Sequence, residues 1–224
     1  MTLISPVLLT LIDQRLPSGG HIHSGGIEEA VAEDLVTDVA TLSEFLLVRL
    51  QSAGLVASAI ATAAVGLTGQ DYPALDCETD SRLPSLTARA LSRAQGRGLL
   101  RVARSAWAAP SAELTWSEIG ERPHLPILLG CVARAAGLTP ADAALAMAYL
   151  SVTGPATAAQ RLLSLDPISV AVATINLSDA ISTTAHEATV AAQGAYRDLP
   201  DLASVQLDLM MERHAARPNR LFAS

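Results

Sequence analysis

Read for the spacing of its apolar positions, the chain is helical in period almost throughout, and no run alternates apolar and polar residues as a half-buried strand would. The pattern predicts a first helix over about Ser5 to Arg15, with Ser5 as cap and Pro6 at its first position. A glycine-rich stretch follows. A second helix opens near Gly26, where Ser24 can cap it and Glu28 and Glu29 sit near its positive end. Thr41 with Glu44 reads as a capping box for a long Ala-rich helix. Gly69 to Pro84 is polar and acidic and reads as a loop or frayed turn. Pro84 to Trp107 returns to helical spacing, interrupted by Gly96 and Gly98, the kind of glycines that admit another backbone closely. Ala108 to Arg122 reads as a loop, and Pro123 to Ala136 as a helix stopped by Gly137. Thr139 caps the next helix, which Gly154-Pro155 should kink or divide. Asp166-Pro167 opens another that runs to about Gly194, and Pro200 opens the last, ending near His214. The expectation is one all-α domain over residues 1–224, a bundle of about eight to ten helices with the long uncharged ones at its centre.

Composition sharpens this picture. Half of the 224 residues are hydrophobic but only 3% are aromatic, and the apolar mass is Ala, Leu and Val, which favours helix over sheet. The formal charge of −7 argues against sequence-independent binding to nucleic acid. Every basic residue is Arg, the side chain suited to planar two-pronged contacts, although a GC-rich coding sequence gives the same bias. Cys77 and Cys131 stand in unrelated contexts, without disulfide or metal spacing. The apolar run Ile4 to Ile12 lacks a basic leader and is broken by Pro6, so no signal peptide is expected. Leu50 to Gln70 carries no charge and has the length of a membrane span, but its Ala, Ser, Thr, Gly and Gln content makes it a buried helix of a soluble, cytoplasmic protein, with no membrane partner.

Candidate chemistry concentrates in Arg15–Glu29, RLPSGGHIHSGGIEE. It has neither the P-loop nor the dinucleotide-binding glycine pattern, and no strand precedes it. Ser24 in His-Ser-Gly-Gly does not fit a nucleophile elbow. His21 and His23 can ligate a borderline metal such as nickel or zinc, but two histidines are too few for a site. The glycines equally suit a structured turn that permits positive φ and close packing. An arginine stripe, Arg89, Arg93, Arg97, Arg101 and Arg104, keeps to one helix face and is either a contact for an acidic partner or a face ion-paired to Glu28, Glu29, Glu33 and Asp34. Leu221 and Phe222 near the chain end suggest docking, on a partner or back on the bundle. His21, His23, His124, His186 and His214 are scattered, and none forms HExxH or neighbours an evident nucleophile.

Asp13, Leu16, Pro17, Gly19, Gly20, His23, Ser24, Gly26 and Glu28 together resemble the N-terminal motif of the urease accessory protein F family, written LPTGGFxHSxGLE; Ser18 replaces its Thr and His21 its aromatic residue. Ser92 to Leu100, with Gln95 and Arg97, is similar to the family's QxGRxLL helix. His124 to Gly130 is similar to its HxPxxxG segment, Ala158 to Leu163 to its AAxRL segment, and Arg213-His214 with Arg220 to Ser224 to its RHExxxxRLFxS terminus. Ala215 departs from the usual Glu, and Ser164-Leu-Asp-Pro167 from the usual PLGQ.

The resemblance implies an all-α, non-enzymatic chaperone that helps insert nickel into apo-urease. It implies a bridge between the D- or H-type accessory protein and the G-type GTPase, modulation of GTP hydrolysis, and a homodimer. On this reading residues 215–224 form a partner-docking tail. The partner-binding residues are Pro17, Gly19, Gly20, His23, Ser24, Gly26, Glu28, Gln95, Arg97, His214, Arg220, Leu221, Phe222 and Ser224. No catalytic residue, no tight cofactor and no nucleic-acid partner are expected, with nickel at most in transit. The alternative from another class is a helical metal-binding enzyme using His21 and His23.

Overall fold

The computed structural model of the chain describes residues 5–18, 20–202 and 204–222, with only the backbone of His21. Ten helices form among them: α1 (Pro6–Ile12), α2 (Ile27–Ala32), α3 (Val39–Val65), α4 (Tyr72–Ser81), α5 (Leu86–Ala106), α6 (Leu125–Ala135), α7 (Pro140–Leu162), α8 (Pro167–Asn176), α9 (Ser178–Ala191) and α10 (Val205–Ala216). The described residues contain no strand beyond one bridge between Ser111 and Leu114. The all-α expectation and the helix number therefore hold.

Several boundaries differ from the sequence reading, each for a local reason. α3 begins earlier: the Asp38 side chain accepts the Thr41 N–H at 2.9 Å while Thr41 reaches back to the Asp38 N–H at 3.1 Å, so Thr41 closes the capping box instead of opening it. The acidic stretch expected to be loop contains α4. Pro73 preorganises its first turn, Leu75 and Thr79 bury one face, and its carboxylates are matched by Arg82 and Arg93 from outside the helix. Gly154-Pro155 does not divide α7. Pro155 cannot donate to the carbonyl four residues back, that of Ser151, and Arg49 Nε donates to this oxygen at 3.3 Å instead. Gly154 also removes the Cβ that the proline ring would strike. The region after Pro167 is two helices that break at Leu177, where no Gly or Pro marks the sequence. Pro200 lies ahead of α10, whose cap is Ser204.

The second half of α3 is the hub, packed by α6, α7 and α9. Ala59, Ala61 and Ala64 of α3 and Ala143, Ala144, Ala148 and Ala159 of α7 are buried, so backbones approach closely and the Ala-rich composition becomes core. Val39–Val65 is long and apolar enough to cross a membrane, and half of its apolar window is buried in the fold.

Candidate partner-binding site

The two ends of the chain meet at α2 and α10. Gly25 and Gly26, at φ +64° and +92°, turn the chain into α2 through left-handed backbone that other residues rarely adopt. The turn aims the first carboxylates of α2 inward, where Glu28 and Glu29 are buried. His214 of α10, fully buried, places Nε2 2.7 Å from Glu28 Oε2. Beyond α10 the tail folds back, and the backbone N–H groups of Leu221 and Phe222 donate to Glu28 at 2.7 and 3.0 Å. Burial pushes the Glu28 carboxyl up, but these amides and the imidazole outweigh it and hold its pKa below the ordinary value. As a carboxylate Glu28 only accepts, so the Nε2–H of His214 is the donor in this bond. Arg217 grips Glu29 with two guanidinium bonds, and Arg213 pairs with Glu33 at 2.7 Å.

A second joint ties α5 to the same end. A Cβ on Gly98 would stand 2.1 Å from the Ser18 carbonyl oxygen, and one on Gly96 2.0 Å from that of Pro123. The glycines of the α5 motif therefore let the N-terminal turn and the α6 lead-in lie directly on the helix, as the sequence suggested. Here His124 is sealed in, with Nδ1 3.0 Å from Ser92 Oγ and Nε2 2.9 Å from Asp80 Oδ1. Arg93 bridges Asp76 and Asp80, both at 2.9 Å.

Sequence reading found no histidine beside a nucleophile, whereas the fold assembles a Ser92–His124–Asp80 line. Its wiring is the reverse of a hydrolase triad, in which Nε2 faces the serine. Ser92 Oγ also accepts the Leu125 N–H at 3.3 Å, so the hydroxyl is engaged in both directions. Burial, then the positive charge of Arg93, hold the His124 pKa below its ordinary 6.5 despite Asp80. The arrangement serves as a buried polar clasp. Its clues in the sequence were Pro73 and the Leu75/Thr79 pair, which would have revealed α4.

The arginine stripe is divided. Arg89 donates to the Leu83 carbonyl at 2.6 Å, Arg93 is held by α4, and Arg104 pairs with Glu121 at 2.9 Å. Arg97 and Arg101 remain exposed. The partners expected for the stripe, Glu28, Glu29 and Glu33, pair with α10 and the tail instead.

Among the expected partner-binding residues, Pro17, Gly20, Arg97, Arg220 and Leu221 are exposed, with Leu221 at 81%. Gln95 and Phe222 are half-buried; His23, Ser24, Gly26, Glu28 and His214 are buried. Gly19, Ser224 and the side chain of His21 lie outside the described residues. No group of three or more His, Cys, Asp or Glu suited to a metal occurs among those described.

Fold and joints together define the class: an all-helical scaffold whose two chain ends lock over a buried carboxylate and leave a short tail on the surface. The family model UreF matches residues 36–178. The chain is 49% identical to the urease accessory protein UreF of Mycobacterium marinum, over 97% of this chain and 98% of that one. It is 48% identical to that of Mycolicibacterium vanbaalenii, over 97% of each, and 46% identical to that of Mycobacterium tuberculosis strain H37Ra, over 97% and 98%. The chain belongs to the urease accessory protein UreF family, as its terminal motifs indicated.

Proposed function

We propose that this protein is a non-catalytic chaperone of urease maturation, acting in the cytoplasm in the delivery of nickel to apo-urease. It joins the D- or H-type accessory protein to the G-type GTPase and adjusts GTP hydrolysis by the latter. The observation that carries this reading is the convergence of the two terminal family motifs on Glu28, with Arg220 and Leu221 left facing outward. The buried motif residues, Ser24, Gly26, Glu28 and His214, act by holding shape. The outward ones, Arg220 and Leu221, make the contact with the D- or H-type protein, while Pro17, Gly20 and Arg97 face the GTPase. An exposed apolar residue so near a chain end is poorly placed in water and gains by burial in a partner. The protein pairs with a second copy through α8, whose Ile168, Val172 and Ile175 expose apolar surface at helical spacing. Nickel passes without a tight site on this chain.

The test is urease matured in a strain lacking this gene, with and without the gene restored. Nickel content and activity of the purified urease should fall together in its absence and return with it. Fully nickel-loaded urease from the deletion strain would contradict the proposal.

A further inference from the structure

Two cavities of about 180 and 140 Å³ lie beneath the glycine-rich turn, and Arg49 lines both together with His23, Gly25 and Gln95. Arg49 is the one charged residue between Glu44 and Asp71. Its Nε is spent on the Ser151 carbonyl that Pro155 leaves open. Among the described residues no carboxylate pairs with it, and Nη1 and Nη2 have no hydrogen-bond partner. Gly25 makes room for it: a Cβ there would come 3.1 Å from Arg49 Cζ and Nη2.

Burial lowers the Arg49 pKa to about 10, so the guanidinium remains charged at neutral pH. Arg49 is half-buried, and its guanidinium lines both cavities with no carboxylate among the described residues paired to it. Nearby acids do not neutralise it. Asp13 is taken by Arg15, and Asp208 lines only the larger cavity, with burial pushing its carboxyl up. Arg82, the other cation there, is already satisfied by Glu78 and by the carbonyls of Arg197, Leu199 and Pro200.

We propose that Arg49 anchors a site, in these partly open cavities, for a planar, carboxylate-type monoanion, held two-pronged by Nη1 and Nη2 with the Gln95 amide beside it. Guanidinium and carboxylate match in this geometry. Each cavity has room for several water-sized bodies, so a formate or acetate with hydrating water fits. The carboxylate is either a free small anion or an Asp, Glu or C-terminal carboxylate inserted by a partner protein.

The test titrates ¹³C-formate into the full-length wild-type chain at pH 7.5. Binding is followed by saturation transfer from protein methyl groups to formate, and acetate is the competitor. The expected result is saturable transfer that acetate displaces, and at least tenfold weaker binding in Arg49→Met with Arg49→Lys between. Absence of saturable formate binding to the wild type, which involves no variant and no folding risk, overturns the proposal; so does equal binding by a folded Arg49→Met. Adding the D- or H-type accessory protein separates the sources: displaced formate assigns the site to a partner carboxylate, and retained formate to a free anion. Urease activity is not the readout, so a negative result leaves the maturation role standing.

Discussion

The Glu28 carboxylate accepts from His214 and from two tail amides, so its removal strands three buried or half-buried donors at once. Glu28→Ala should cost about 2–4 kcal/mol, the range for breaking a buried charged network. Urea unfolding would show it, and the tail should become sensitive to protease. A loss under about 0.5 kcal/mol would mean that the joint is not formed. His124 makes a different demand. Its folded pKa is depressed, so the unfolded chain binds the extra proton first. Its contribution to stability is complete above the ordinary value of 6.5 and declines as pH falls below it. Stability should therefore fall between pH 7 and 5.5, by at most about 1.4 kcal/mol per pH unit for this one group. Thermal unfolding of the wild type should carry that slope and a folded His124→Asn should lose it; equal slopes would refute the assignment. Of these residues the sequence named Glu28 and His214 but could not reveal that they touch, since 186 positions separate them. It said least about Arg49, whose one clue was standing alone at the head of an uncharged run.

Helix periodicity made the elements legible, because a bundle with few aromatics must bury Ala and Leu at helical spacing. The errors arose where tertiary contacts override local chemistry. α4 reads as loop when its acids are counted alone, and as helix once Arg82 and Arg93 neutralise them. α7 continues through Pro155 because a side chain 102 positions away takes the orphan carbonyl. The close contacts of α5 were legible from its glycines, and they set a sharp test. Gly98→Ala drives a methyl into the Ser18 backbone, which cannot swing aside as a side chain can. It should destabilise by about 1–3 kcal/mol or more, as overpacking does. Gly66→Ala, whose methyl meets only ordinary contact, should stay within about 1 kcal/mol of wild type. Similar denaturation midpoints for the two variants would remove the backbone contact from the account.

At the scale of the whole molecule, two surfaces follow from what the helices leave outside. The α8 stripe gives one expectation: Val172→Glu with Ile175→Glu should shift sedimentation from dimer to monomer with helicity unchanged, and an unchanged dimer would place the interface elsewhere. The tail gives the other. Family membership was readable from the first and last motifs because they stand at fixed places in the chain, but their meeting in one joint is a property of the fold alone. The most direct measurement is capture of the D- or H-type accessory protein by the chain carrying Leu221→Asp, or lacking residues 220–224, beside the wild type. If the tail docks as proposed, capture is lost by at least tenfold in both, with the circular dichroism spectrum of Leu221→Asp unchanged. Capture at wild-type level by either variant would contradict that docking.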